Sequence, residues 1–207
     1  MKAPSVRERM LQVREEAIID AVNRLLADKG YDLMTVDQVA ADVGIAKASL
    51  YKHFPSKEAL AAAAMVRVMQ RARDFLQTLV DDPERGDLQR LRAAVRWAMA
   101  MQYDGAMPSL PSENSSLRAV LASDRKFMDL LMQISDILGA WIVSAQQAGQ
   151  LHPGLPPEVM LFTVFARACD SVLPVLKATG AHSREQVLDW MMATCFDGIG
   201  VASRAPP

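Results

Sequence analysis

One stretch decides the fold: TVDQVAADVGIAKASLYKHFPSKEAL, which runs from Thr35 to Leu60. Thr35 stands three residues before Gln38, a spacing typical of a capping box at the start of a short helix. Gly44 then ends that helix, and a second short helix is expected from Ala46 to His53. Two short helices around a glycine-centred turn predict a helix-turn-helix.

The second of these helices has two different faces. Ala46, Leu50 and Phe54 are spaced four residues apart and are expected to pack on the preceding helix. The other face and its margin carry Lys47, Ala48, Ser49, Tyr51, Lys52 and His53, without a carboxylate. Cationic and hydroxyl side chains bind phosphates, and a slim helix fits a major groove about 12 Å wide. This face is therefore predicted to read DNA.

Two further positions favour phosphate contacts. Lys57 is expected in the first turn of the next helix, where the positive end of the helix adds to its own charge. Thr35 stands similarly at the start of its helix. Near the N-terminus, Lys2, Arg7, Arg9 and Arg14 form either a basic arm for a phosphate backbone or the solvated start of a helix.

The rest of the chain shows a helical period almost throughout. An apolar period of 3.6 residues without alternating strand patterns predicts an all-α fold of about nine helices. The remaining helices are expected over residues 6–29, 56–82, 88–103, 116–122, 124–148, 157–179 and 183–202. Residues 104–116 are expected to be a loop, with or without a short helical turn. We expect a DNA-binding domain over 1–57 and an effector-binding and dimerisation domain over 58–207.

The residues from Thr35 to Leu60 resemble the helix-turn-helix signature of the tetracycline-repressor (TetR) family, and the helix before them resembles that family's opening helix. The resemblance implies a homodimeric transcription regulator, usually a repressor, which binds a palindromic operator and often a small effector. It implies that Lys47 and Ser49 approach bases. It also implies phosphate contacts by Thr35, Tyr51, His53 and Lys57. Ala46 and Ala48 depart from the usual serine and glycine, which bears on the target sequence.

A dimer surface is expected on the last two helices. A single recognition helix contacts few base pairs, so two copies are the usual arrangement. Both helices are apolar on more than one side, which indicates partners on more than one side. Burial inside the monomer is the alternative. The expected interface residues are Leu161, Phe165, Val172, Leu188, Met191, Cys195 and Phe196.

Methionine and aromatic side chains of the C-terminal part form either a plain core or an adaptable cavity for a small, largely apolar effector. The candidate effector residues are Trp97, Met101, Tyr103, Phe127, Met132, Trp141, Phe162 and Arg167. Asn114 is a further polar candidate. Arg167 and Asp170 stand three residues apart and are expected to pair with each other or across the dimer.

Other classes of protein fit the sequence less well. The net charge of −1 argues against a non-specific architectural DNA-binding protein. Cys169 and Cys195 leave a thiol-based redox regulator as an alternative. A small helical enzyme is a weaker one, because the three histidines have no catalytic partners at useful spacing and nucleotide-binding motifs are absent. We expect no cofactor, no metal and no enzyme activity. We also expect a cytoplasmic location, because we find no signal peptide and no apolar run near the roughly 18–20 residues of a membrane span.

Overall fold

A computed structural model describes residues 5–108 and 115–198, and within these ranges the regular structure is helical, without a strand. The helices are α1 (Val6–Leu33), α2 (Val36–Val43), α3 (Lys47–His53), α4 (Lys57–Val80), α5 (Asp87–Tyr103), α6 (Ser116–Ser123), α7 (Arg125–Gln147), α8 (Pro157–Arg167), α9 (Val172–Thr179) and α10 (Arg184–Phe196). The all-α fold class is confirmed. The predictions for Lys2, for Asn114, for a helical turn within 109–114 and for residues 199–202 lie outside the described residues.

Local chemistry ends the first helices where the sequence predicts. Gly30 has φ 73° and ψ 172°, a conformation open mainly to glycine, and only one further turn, to Leu33, follows it. Thr35 Oγ1 accepts from the Gln38 amide at 3.2 Å, and Gln38 Oε1 accepts from the Thr35 amide at 3.1 Å. This reciprocal pair is the predicted capping box. Gly44 has φ 71° and closes α2 in the left-handed region.

The chain divides into two compact units. The first contains residues up to 74 together with 105–134, and the second contains residues 75–104 together with those from 135 onward. In the first unit, α1, α2, α3, α4 and α6 share one apolar core. Its largest fully buried members are Ile18, Leu26, Met34, Leu50, Leu60 and Leu117. The functional boundary at residue 57 stays a prediction.

The core of the second unit is built by α5, α9 and α10. It contains Val95, Met99, Leu173, Val187, Leu188, Met191 and Met192. Two ion pairs join Arg96 of α5 to Asp189 (2.6 Å) and Glu185 (2.5 Å) of α10. Arg184 at the start of α10 pairs with Asp104 at 2.7 Å, which holds the pKa of that carboxyl below its usual value.

The helix predicted over 157–179 is interrupted between α8 and α9. The side-chain amide of Gln102 on α5 forms hydrogen bonds with both backbone groups of Asp170. Gln102 Nε2 donates to the Asp170 carbonyl at 2.8 Å, and the Asp170 amide donates to Gln102 Oε1 at 3.0 Å. Asp170 Oδ1 also accepts from the Val172 amide at 2.8 Å, and Oδ2 pairs with Arg167 Nη1 at 2.6 Å. Side chains thus replace the helical hydrogen bonds that the interruption removes. The predicted Arg167–Asp170 pair forms within the chain.

Two helical segments meet the length and composition that a membrane span requires. They are Arg125–Gln147 and Pro157–Thr179, each 23 residues long. The expectation that no apolar run approaches this length overlooks both segments, but the core helices of soluble proteins meet the same criteria. The second segment is the one interrupted between α8 and α9.

Candidate nucleic-acid interface

Helix α3 is fixed to the first unit by its apolar side. Leu50 is fully buried, and Phe54 and Ile45 pack against the same core. Ala46 departs from the prediction, because it is exposed and serves as the N-cap in an extended conformation, without a side-chain cap bond. The inner face predicted from spacing is therefore confirmed for Leu50 and Phe54 and wrong for Ala46.

The opposite side of α3 is open to solvent. Lys47, Ala48, Tyr51 and Lys52 are exposed, and Ser49 is half-buried at the margin. No residue of α3 is acidic. A carboxylate nevertheless reaches this face from α2, since Lys47 Nζ lies 2.9 Å from Asp37 Oδ2. Both side chains are exposed, and this hydrogen bond raises the pKa of Lys47. The open face of α3 therefore has a carboxylate beside it, although α3 itself contains none.

His53 differs from its neighbours on α3. Its side chain is only 10% exposed, and Nδ1 lies 3.2 Å from Glu15 Oε1 of α1. The side chain at this predicted margin position is therefore turned inward, toward α1. A phosphate contact by His53 stays a prediction.

The start of α4 presents Lys57 beside a buried tyrosine. Ser56 Oγ accepts from the Ala59 amide at 3.1 Å, as a cap does. Lys57 Nζ lies 4.4 Å from the centre of the Tyr31 ring and donates to the Asp32 carbonyl at 3.3 Å. Thr35 is exposed at the start of α2. Both predicted phosphate-binding positions therefore lie at helix starts.

Glu58 anchors the Tyr31 hydroxyl. Tyr31 Oη donates to Glu58 Oε1 at 2.9 Å, and Ser116 Oγ of α6 donates to the same oxygen at 2.9 Å. The two hydroxyl oxygens lie 3.0 Å apart. Hydrogen bonds from the Glu58 backbone amide, Ser116 and Tyr31 lower the pKa of Glu58 to about 2. Burial raises the pKa of Tyr31. The group is therefore a carboxylate with two neutral hydroxyls at ordinary pH.

The predicted effector residues are distributed over both units. Phe127 packs against the core of the first unit, where Met132 is 62% exposed. In the second unit, Trp97 stacks on Phe75 at 5.0 Å and Trp141 is buried. The others of the second unit are the half-buried Met101, Tyr103 and Arg167 and the 70% exposed Phe162. Their part in effector binding stays a prediction.

Other residues line the concave sites of the second unit. A mostly apolar cavity of about 170 Å³ is lined by Leu91, Leu151, His152, Leu155, Val159, Met160, Thr163, Val164, Cys195 and Phe196. An open groove of about 760 Å³ between α5 and α10 carries paired arginines and carboxylates. Periodicity and motifs carry no signal for the cavity, because its lining comes from three helices and a loop.

The predicted dimer residues separate into two groups. Leu188 and Met191 are buried in the core of their own unit, which corrects their assignment to a surface. Cys195 and Phe196 pack beside that core and line the apolar cavity. Leu161 and Phe165 are half-buried, and Val172 is exposed. The large apolar side chains that α8, α9 and α10 expose are Val159, Phe162, Val172, Val175 and Trp190.

Neither cysteine is paired in a disulfide. Burial raises the pKa of the Cys195 thiol, which lowers its thiolate fraction and its reactivity. In the described part of the chain, no group of three or more His, Cys, Asp or Glu side chains lies close enough together to hold a metal ion.

Comparison with known proteins places the helix-turn-helix in a family. Residues 18–64 match the family model described as bacterial regulatory proteins, tetR family. The chain is 36% identical over 78 residues to the HTH-type transcriptional regulator EthR of Mycobacterium tuberculosis, a match that covers 38% of this chain and 36% of EthR. It is 27% identical over 164 residues to the class D tetracycline repressor protein of Escherichia coli, covering 72% of this chain and 75% of the repressor.

A solved structure shares the fold. AibR in complex with isovaleryl coenzyme A and operator DNA is similar with a TM-score of 0.57 and 23% identity, over 88% of this chain and 98% of AibR. The fold and the open face of α3 define a helix-turn-helix protein of the regulator class. Residues 18–64 of the chain are a helix-turn-helix domain of the TetR family.

Proposed function

We propose that the protein is a sequence-specific DNA-binding transcription regulator of the cytoplasm, acting as a homodimeric repressor on a palindromic operator. The observation that carries this proposal is the open face of α3, where Lys47, Tyr51 and Lys52 are exposed beside an anchored Leu50. A rigid helix with cationic and hydroxyl groups on its outer side suits the major groove. The match to EthR covers about a third of that regulator, so the activity is proposed for this chain rather than transferred from it.

Two lysines separate base reading from phosphate binding. Operator DNA is first selected from a random pool with the wild-type protein. Lys47→Ala is then expected to reduce the preference for the selected sequence over mixed-sequence DNA. Lys57→Ala is expected to weaken binding to both DNAs alike and to lower the salt slope by about 1 for each phosphate that the variant no longer binds. Wild-type affinity and preference in both variants would refute the assigned interface.

The exposed apolar side chains of α8 and α9 support the homodimer. Phe162 is 70% exposed and Val175 is 64% exposed, although both are large and apolar. Large apolar side chains exposed on two successive helices favour a protein partner, and a second copy of the chain would cover them on both protomers. Phe162→Glu is expected to give monomers in sedimentation experiments. The control is Val143→Glu, an exposed apolar position on α7. An unchanged dimer in Phe162→Glu would contradict this interface.

We propose that the effector is small and largely apolar and occupies the cavity of about 170 Å³. A cavity of about 150 Å³ lined by apolar side chains holds a ligand as large as benzene, so a short branched acyl group or a single ring fits. The AibR complex makes isovaleryl coenzyme A a first ligand to test, because its branched isovaleryl group is small enough for the cavity and the coenzyme A group would stay outside it. Met160→Trp, which fills the cavity, is expected to abolish ligand-induced release of DNA. Val143→Trp is the control. Equal release from both variants would exclude this cavity.

A further inference from the structure

We propose that Tyr31 is a positioning residue for the Lys57 phosphate contact, and that Ser116 of α6 acts on this contact through Tyr31. This inference rests on the proposed DNA-binding function. It adds two residues that lie outside the predicted DNA-binding set.

The Tyr31 ring faces the lysine ammonium. Lys57 Nζ lies 4.4 Å from the ring centre, within the range of a cation–π contact. The same ammonium donates to the Asp32 carbonyl at 3.3 Å. A lysine ammonium has three donors, and a flexible side chain loses rotamer freedom on binding DNA. Two contacts that hold Nζ in advance therefore reduce the entropy lost when a phosphate binds.

The ring itself is held from its other end. Tyr31 is 8% exposed, and its hydroxyl donates to Glu58 Oε1 at 2.9 Å. Ser116 Oγ donates to the same oxygen at 2.9 Å and lies 3.0 Å from the Tyr31 hydroxyl. Charge-assisted hydrogen bonds of this kind fix an orientation more firmly than neutral ones. Glu58 follows Lys57 directly, so the anchor and the positioned cation belong to one helix turn.

Three contacts connect Ser116 to Lys57 within the first unit: Ser116 with Glu58, Glu58 with Tyr31, and Tyr31 with Lys57. Ser116 is the first residue of α6, Tyr31 follows Gly30, and Lys57 begins α4. If Ser116 moves, Glu58 loses one donor and the Tyr31 hydroxyl loses a neighbour. The ring that faces Lys57 is then less restrained. Ser116 therefore acts on DNA affinity without a contact to DNA of its own.

A double-mutant cycle tests the Tyr31–Lys57 step. The probes are the selected operator and a mixed-sequence duplex, with affinity measured at several salt concentrations. Tyr31→Leu removes the ring and is expected to weaken binding to both DNAs about two- to fivefold in the wild-type background. In the Lys57→Ala background the same substitution is expected to have no further effect. A conservative core substitution, Ile18→Val, controls for loss of stability in the same core.

A second cycle tests the Ser116 step with neighbouring serines. Ser116→Ala is expected to weaken DNA binding, but not in a Tyr31→Phe background, where the anchored hydroxyl is already absent. The matched control is Ser115→Ala. Ser115 caps α6 by accepting from the Arg118 amide at 3.3 Å. Its loss weakens the cap of α6 and leaves the hydroxyl of Ser116 in place.

The outcomes separate this inference from the proposed function. Equal effects of Tyr31→Leu in both backgrounds would show a merely structural tyrosine and overturn the inference while Lys57 keeps its role. Equal effects of Ser115→Ala and Ser116→Ala would overturn the Ser116 step. Wild-type DNA binding by Lys57→Ala would also overturn the inference, because Lys57 would then make no phosphate contact for Tyr31 to position. The assignment of α3 would then depend on the Lys47 variants alone.

Discussion

Replacing Asp37 by asparagine is expected to strengthen DNA binding. Asp37 Oδ2 holds Lys47 Nζ at 2.9 Å on the face proposed to read DNA. DNA must break or share this pair before Lys47 can contact a base or a phosphate. The carboxylate also repels the phosphate backbone. Asp37→Asn removes both obstacles while keeping the size of the side chain.

The expected gain follows from the exposure of the pair. The side chains of Lys47 and Asp37 are 48% and 71% exposed, so solvent screens the pair strongly. An exposed pair of this kind corresponds to about a two- to threefold change in an equilibrium constant. A dimer carries two recognition helices and the factors multiply, which gives an affinity about four- to ninefold higher. The gain should shrink as salt is added, because screening acts within about 8–10 Å.

Fluorescence anisotropy on the selected operator, at several salt concentrations, measures this gain. Asp42→Asn is the matched control, because Asp42 is also an exposed carboxylate of α2 but pairs with Arg24 of α1 at 2.6 Å. Asp37 lies in the first turn of α2, where a negative charge stabilises the helix, so unfolding by urea is followed in parallel. Equal affinities of Asp37→Asn and Asp42→Asn at low salt would refute the reasoning.

Three further predictions concern stability. Ala46→Ser supplies the missing side-chain cap of α3 and should raise the free energy of unfolding by about 1 kcal/mol in urea titration; no gain would show that the cap geometry is unsuitable. Asp170→Ala leaves Arg167 unpaired and the Val172 amide without its acceptor. The free energy of unfolding should fall by about 2–3 kcal/mol in the same assay. A loss below about 0.5 kcal/mol would contradict the role of Asp170 in the α8–α9 interruption. Glu58 has a folded pKa of about 2 against a usual 4.5, so its contribution to stability is present above about pH 4.5 and is lost as the pH falls toward 2. Glu58→Gln should be less stable than wild type near neutrality, and its stability should change less with pH over that window. An unchanged pH profile would count against the hydrogen-bonded carboxylate.

Local rules predicted the helix-turn-helix closely. The ends at Gly30 and Gly44 depend on backbone conformations that favour glycine, and the Thr35–Gln38 cap depends on a three-residue spacing. Contacts between distant residues could not be predicted in the same way. The pairing of Lys47 with Asp37 depends on the angle between two helices, and the turn of His53 toward Glu15 depends on a residue 38 positions away.

The C-terminal part shows why periodicity alone misplaces an interface. A helix apolar on several sides needs several partners, but the pattern does not say whether they belong to the same chain. On α10, Leu188 and Met191 are buried in the core of the monomer, whereas Trp190 is exposed. The interruption between α8 and α9 has a local signal that the prediction of one helix over 157–179 left out. Pro174 has no amide hydrogen to donate to the Asp170 carbonyl four residues before it, and Gln102 of α5 donates to that carbonyl instead.

Gln102 of α5 holds the junction of α8 and α9 at Asp170. Both backbone groups of Asp170 are bonded to this one side chain, although the helix is interrupted there. The exposed Phe162 on α8 and Val175 on α9 lie on either side of the junction. A change at Gln102 would therefore affect how both side chains meet a partner without altering either of them.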